Sequence, residues 1–114
     1  MKHVDDISLT SAQREALADI KRRLVGMFDI RAIVLYGSVA RNQADEESDV
    51  DLLVVTAQRL TRLQRHEITN VVFEVNLRYD TNFSTLVVDQ ESWETGMFSV
   101  LPIHTEIVRD GIQV

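Results

Sequence analysis

The chain has 114 residues, no cysteine, 45% apolar residues and a net charge of −6 from 18 acidic and 12 basic side chains. That size and composition fit one domain, residues 1–114, able to bury its own core, and leave no room for disulfides or thiolate metal sites. The negative balance argues against a nucleic acid as the main ligand, and no stretch approaches the roughly 20 apolar residues of a membrane span.

The start, Met1-Lys2-His3-Val4-Asp5-Asp6, carries acids and no long apolar run. It does not read as a signal peptide, so the expected location is the cytoplasm. The first element is a helix over 11–28. Thr10 followed by Gln13 is a capping-box pattern, and Leu17, Ile20, Leu24 and Phe28 recur at spacings of three and four. Lys21-Arg22-Arg23 is the basic cluster of the chain and reads as a solvated helix face. Residues 31–36 form a short β-rich run, predicted as a buried strand, that breaks at Gly37. Val39 to Asn42 fit one helical turn, and 43–48 is a polar, acidic loop.

A second central strand is expected over 49–56, where Leu52-Leu53-Val54-Val55 is continuous. The stretch 58–80 carries two patterns. Leu60, Leu63, Ile68, Val71, Val72, Val75 and Tyr79 fit a helical stripe. Phe73, Val75, Leu77 and Tyr79 alternate with polar residues as a strand would. The helical stripe covers the whole stretch, so one long helix is the reading. Asp80-Thr81-Asn82 makes a turn, 83–88 a third strand, and 91–97 a short helix. Pro102 suits the first turn of a last helix, with Ile103 and Ile107 buried and Gly111 just past its end. The fold class is α/β (α+β), a small mixed β-sheet flanked by helices. From Asp80 onward there are six acids against one base, Arg109, so the charge deficit sits in the last third.

Two motifs carry chemistry. At Gly37 a residue without Cβ lets the chain bend sharply and lets a phosphate approach. Ser38 adds a hydroxyl and free backbone N–H donors suited to phosphate oxygens. Asp49 and Asp51 lie two apart on a strand, so both carboxylates point to one side. Two such carboxylates repel each other unless a divalent cation lies beside them, and an oxygen-only site suits Mg²⁺ or Mn²⁺. Singly, a Gly-Ser turn is commonplace and an Asp-x-Asp is commonly a solvated edge. Together they stand in order, each beside an apolar strand, with ten residues between Ser38 and Asp49.

This pattern resembles the minimal nucleotidyltransferases of the DNA polymerase β-like superfamily. Gly37-Ser38-Val39-Ala40-Arg41 looks like their Gly-Ser-x-Ala-Arg form, and Ser48-Asp49-Val50-Asp51-Leu52 like their Ser-Asp-x-Asp-Leu form. The resemblance implies the nucleotidyltransferase fold and Mg²⁺-dependent transfer, AMP from ATP or another nucleoside triphosphate, to a hydroxyl of a protein or small molecule. It implies phosphate binding by Gly37, Ser38 and Arg41, and metal binding and catalysis through Asp49 and Asp51. It further implies a HEPN-type protein partner, a toxin silenced by AMP on a tyrosine.

The superfamily usually takes a third carboxylate from the next central strand. Residues 83–88 contain no acid. Asp89 reads as a turn residue or helix cap, and Glu74 as a surface residue unless its segment is a strand. A chain without that acid would fit a second reading, a catalytically weak or inactive module that binds nucleotide and masks a partner. His3, His66 and His104 show no metal spacing. Trp93, Phe83 and Phe98 read as core or partner surface, and Arg59, Arg62 and Arg65 as a solvated helix face.

Overall fold

The computed structural model describes residues 7–41 and 49–114. Its elements are α1 (Ser11–Met27), β1 (Ile30–Tyr36), β2 (Val50–Thr56), α2 (Arg62–Tyr79), β3 (Phe83–Asp89), α3 (Gln90–Glu94), a 3₁₀ turn (Met97–Val100), α4 (Pro102–Asp110) and β4 (Ile112–Gln113). His3, Asn42, Ser48 and the rest of the acidic loop over 43–48 lie outside the described residues.

Both long helices start on capping boxes. Thr10 Oγ1 accepts from Gln13 N at 3.1 Å while Gln13 Oε1 accepts from Thr10 N at 2.9 Å. Thr61 and Gln64 repeat the arrangement at the start of α2. Such reciprocal caps satisfy donors that a helix end leaves open. Asp80 ends α2 in the left-handed region, φ 55°, a conformation Asp tolerates better than most residues.

The sheet order is β3-β2-β1-β4. β1 runs antiparallel to β2 and β4, and β2 runs parallel to β3. The strand pleat then separates two cores. On one face Ile33, Leu35, Val50, Leu52, Val54, Phe83 and Val87 meet Leu17, Ile20 and Leu24 of α1 and Ile68, Val71, Val72 and Val75 of α2. On the other, Leu53, Val55 and Val88 meet Ile107, with Trp93, Phe98 and Ile103 packed around them. Helices therefore cover both faces, and the mixed α/β architecture expected from the sequence is the one found.

Three local expectations change. The segment after β3 is a five-residue helix followed by a 3₁₀ turn, not one helix over 91–97. β4 adds an edge strand of two residues that carries no sequence pattern of its own. Arg59 precedes α2, and Arg65 is more than a solvated charge, because its Nη1 donates to Val87 O at 3.0 Å. Of the basic cluster, Arg22 pairs with Asp19 and Arg23 with Glu74.

The start of β3 hangs on one side chain. Asn76 Nδ2 donates to Phe83 O at 3.0 Å, and Asn76 Oδ1 accepts from Phe83 N at 2.8 Å and Thr81 Oγ1 at 3.1 Å. Next to it, Val50 N donates to Asn82 O at 2.8 Å, so the same turn steadies the residue between Asp49 and Asp51. Asn76→Ala is expected to cost about 2–3 kcal/mol, three hydrogen bonds in part-buried surroundings. Chemical denaturation reads this as a lowered midpoint at unchanged slope.

Candidate active site

The site forms where β1 ends and β2 begins. Tyr36 and Asp51 are cross-strand partners, so Gly37 leaves β1 beside the Asp51 carboxylate. Gly37 has φ +79°, in the left-handed region where glycine pays no Cβ penalty. A Cβ there would stand 2.5 Å from Asp51 Oδ2. Backbone and carboxylate are thus packed as closely as a glycine allows. Residues 38–41 continue as a turn, closed by Arg41 N donating to Gly37 O at 3.3 Å. The helical turn expected over 39–42 is thus a hydrogen-bonded turn over 38–41, with Asn42 outside the described residues.

Strand alternation puts Tyr36, Asp51 and Ser84 on the face that also carries Val34 and Leu53. Asp49, exposed, precedes β2 by one residue and shares that parity. Burial raises the Asp51 pKa above the usual carboxylate value, and the charges of Asp49 and Glu106 raise it further while Arg41 lowers it. The Tyr36 phenol is also pushed up, first by burial and then by Asp51 and Glu106. These shifts place five side chains in one electrostatic neighbourhood: Tyr36, Arg41, Asp49, Asp51 and Glu106. Arg41 Nη1 lies 2.8 Å from Glu106 Oε1, so α4 reaches the site through an ion pair.

The sequence-derived residues Gly37, Arg41, Asp49 and Asp51 are therefore brought together, with Ser38 in the same turn. Glu106 was missed. It is one of six acids in the last third and has no motif to mark it; only the packing of α4 on the sheet brings it back. Among the described residues no three His, Asp or Glu side chains are gathered closely enough to hold a metal ion. The Asp49 charge acts against ionisation of Asp51, an electrostatic condition that a divalent cation beside the pair would relieve.

Neither proposed third acid lies at Asp51. Asp89 pairs with Thr56 at the far end of β2, about 16 Å along the strand from Ser84 at 3.3 Å per residue. Its carboxylate caps α3, accepting from Ser92 N at 3.0 Å and from Ser92 Oγ at 2.7 Å. Those hydrogen bonds hold its pKa below the usual range. Glu74 is exposed on α2 and pairs with Arg23 at 2.6 Å. The β3 residue in register with Asp51 is Ser84, an exposed hydroxyl. His104 stacks on Trp93 with ring centroids 4.4 Å apart, which accounts for both outside the site.

Residues 18–97 match the protein family described as "Polymerase beta, Nucleotidyltransferase". Two proteins of Methanocaldococcus jannaschii, each named "Putative protein adenylyltransferase", are similar in sequence. One is 44% identical over 64 residues, spanning 54% of this chain and 43% of that protein. The other is 34% identical over 55 residues, spanning 48% and 56%. The chain thus spans about half the length of these relatives. In structure it is similar to a protein described as a "putative minimal nucleotidyltransferase", with TM-score 0.59, 21% identity and coverage of 94% and 99%. It is also similar to a chain of a toxin–antitoxin crystallised with AMP-PNP, with TM-score 0.59, 18% identity and coverage of 91% and 72%. A third likeness, with TM-score 0.53 and 20% identity over 90% of this chain, is to a chain of the complex between a tri-AMPylated Shewanella oneidensis HEPN toxin and an MNT antitoxin. At these identities the structural likenesses establish the nucleotidyltransferase fold.

Proposed function

Since the chain belongs to the polymerase β nucleotidyltransferase family, we propose that it transfers AMP from ATP to a hydroxyl of a protein or small molecule. The observation that carries this reading is the closeness of Gly37 to the Asp51 carboxylate, with no room for a Cβ between them. A phosphate seated on that turn is within reach of whatever cation the carboxylates hold.

In this reading Gly37 and Ser38 present N–H and hydroxyl donors to the phosphates, and Arg41 adds charge. Asp49 and Asp51 hold Mg²⁺ or Mn²⁺, which would offset triphosphate charge as phosphorus is attacked. Residues 1–114 act as one nucleotidyltransferase unit in the cytoplasm. No helix among the described residues is long and apolar enough to cross a membrane. The acceptor we favour is a tyrosine of a HEPN-type partner, because chains of the same fold occur in toxin–antitoxin complexes, one with an AMPylated toxin.

One observation favours a second reading. Ser84 stands where a third carboxylate would face Asp51, and a neutral serine hydroxyl is a poor general base. A module that binds nucleotide and masks its partner would need no base. Incubating the chain with Mg²⁺, ATP labelled at the α-phosphate and the product of the neighbouring gene separates the two. The enzyme reading expects label on a partner tyrosine, lost in Asp49→Asn. A labelled-ATP experiment with no transfer, in a sample where partner and nucleotide both bind, overturns it in favour of the masking module.

A further inference from the structure

Glu106 lies beyond residues 18–97, where the family match ends, yet it reaches the site from α4. Its Oε1 accepts from Arg41 Nη1 at 2.8 Å, a pair 65 positions apart in sequence. Glu106 sits on a helix anchored next door by buried Ile107. That helix is closed by Gly111 N donating to Ile107 O at 2.7 Å and followed by β4, which pairs with Val34 and Leu35. Arg41 lies in a turn whose backbone closes on Gly37 O through Arg41 N at 3.3 Å. The ion pair is half-covered, with 32% of the Arg41 side chain and 38% of the Glu106 side chain exposed, so an incoming anion can reach it.

We infer that Glu106 is a positioning residue that stands in for the triphosphate, holding Arg41 beside the Gly37 turn and releasing it to the phosphates when nucleotide binds. The inference rests on the triphosphate-site reading above. The Arg41 charge also acts on the Asp51 carboxylate, where it competes with a cation. Glu106 keeps Arg41 occupied elsewhere. A triphosphate carries several negative charges against the single charge of Glu106, so the exchange runs toward the nucleotide, and the lost ion pair subtracts from its affinity.

Calorimetric titration of ATP with Mg²⁺ into parent, Glu106→Gln, Arg41→Ala and the double variant tests this. Glu106→Gln is expected to bind about twofold to fivefold tighter, the range for giving up a partly exposed ion pair. In the Arg41→Ala background the same change is expected to shift affinity by less than about twofold, since the exchange needs Arg41. Glu106→Asp keeps the charge but withdraws the carboxylate by one methylene, and is expected to fall between parent and Gln. It provides the same comparison should Glu106→Gln fail to melt cooperatively. Binding by Glu106→Gln or Glu106→Asp that equals or falls below the parent overturns the inference. So does a gain that persists undiminished without Arg41, because that gain would be simple charge repulsion. Failure of the parent and every variant to bind ATP overturns the site reading itself, and this inference with it.

Discussion

Gly37→Ala is expected to abolish metal-dependent nucleotide binding while leaving the chain folded. Two unfavourable effects add at this position. The backbone at φ +79° costs an L-residue roughly 1–2 kcal/mol. The new methyl would also stand 2.5 Å from Asp51 Oδ2, which no packing tolerates. The obstructing atom, however, is the end of a side chain, so rotation of Asp51 relieves the clash at small cost to the fold. The same rotation turns the carboxylate away from the turn. Affinity for ATP with Mg²⁺ should therefore fall by about a hundredfold or more, the effect of misplacing a group by about 1 Å in a preorganised site. Stability should fall by only about 1–2 kcal/mol. Parallel titration and thermal melting check the pair; a variant that binds like the parent would show that the turn does not seat phosphate.

Asp51→Asn is expected to move function and stability in opposite directions. Burial and the charges of Asp49 and Glu106 raise the Asp51 pKa in the folded chain. The folded state therefore holds this proton more tightly than the unfolded state does. The associated stability is complete below the ordinary carboxylate pKa and is lost as pH rises through the raised folded value. At neutral pH the ionised carboxylate is a net cost without metal, and Asn removes it. The discount for solvent access is substantial, so the gain is up to about 1 kcal/mol. Melting at pH 7 should show the metal-free variant at or above the parent, with the difference vanishing at acid pH. Nucleotide binding in Mg²⁺ should be lost in the same variant. For the parent, metal-dependent binding should weaken as pH falls toward the raised Asp51 pKa, because the cation needs the ionised form.

The legible and illegible parts of this protein differ in range. Thr10 with Gln13, the stripe of α1 and the apolar run of β2 are local signals, and each element forms where they point. In α2 the two overlapping periodicities were decided by packing. Ile68, Val71, Val72 and Val75 turn toward the sheet, whereas Phe73 and Leu77, the apparent strand residues, are exposed at 61% and 70%. The Thr61–Gln64 capping box was the local clue to the same answer. Gly37 and Asp51 could be paired on paper through a motif spacing, because a glycine at a strand end and alternating carboxylates carry their geometry with them. Glu106 and Ser84 could not. One meets the site through a helix packed 65 positions after Arg41, and the other through the register of a parallel strand. Such long-range neighbours leave no periodic trace, and β4, with two residues, is too short to leave one.

The absence of an acid at Ser84 bears on rate, whereas the Gly37–Asp51 contact bears on binding. A site that binds triphosphate through two carboxylates can work slowly, with the acceptor hydroxyl activated by substrate phosphate or by a residue of the partner. It can also serve only to bind. Both outcomes require the nucleotide site to exist. The measurement that tests this most directly is calorimetric titration of ATP into the parent, Asp49→Asn and Asp51→Asn chains, each with and without Mg²⁺. Binding by the parent should strengthen with Mg²⁺ by about tenfold or more, with no Mg²⁺ enhancement in either variant. Equal affinity across parent and variants, with or without the cation, would mean that these carboxylates hold no metal for a nucleotide.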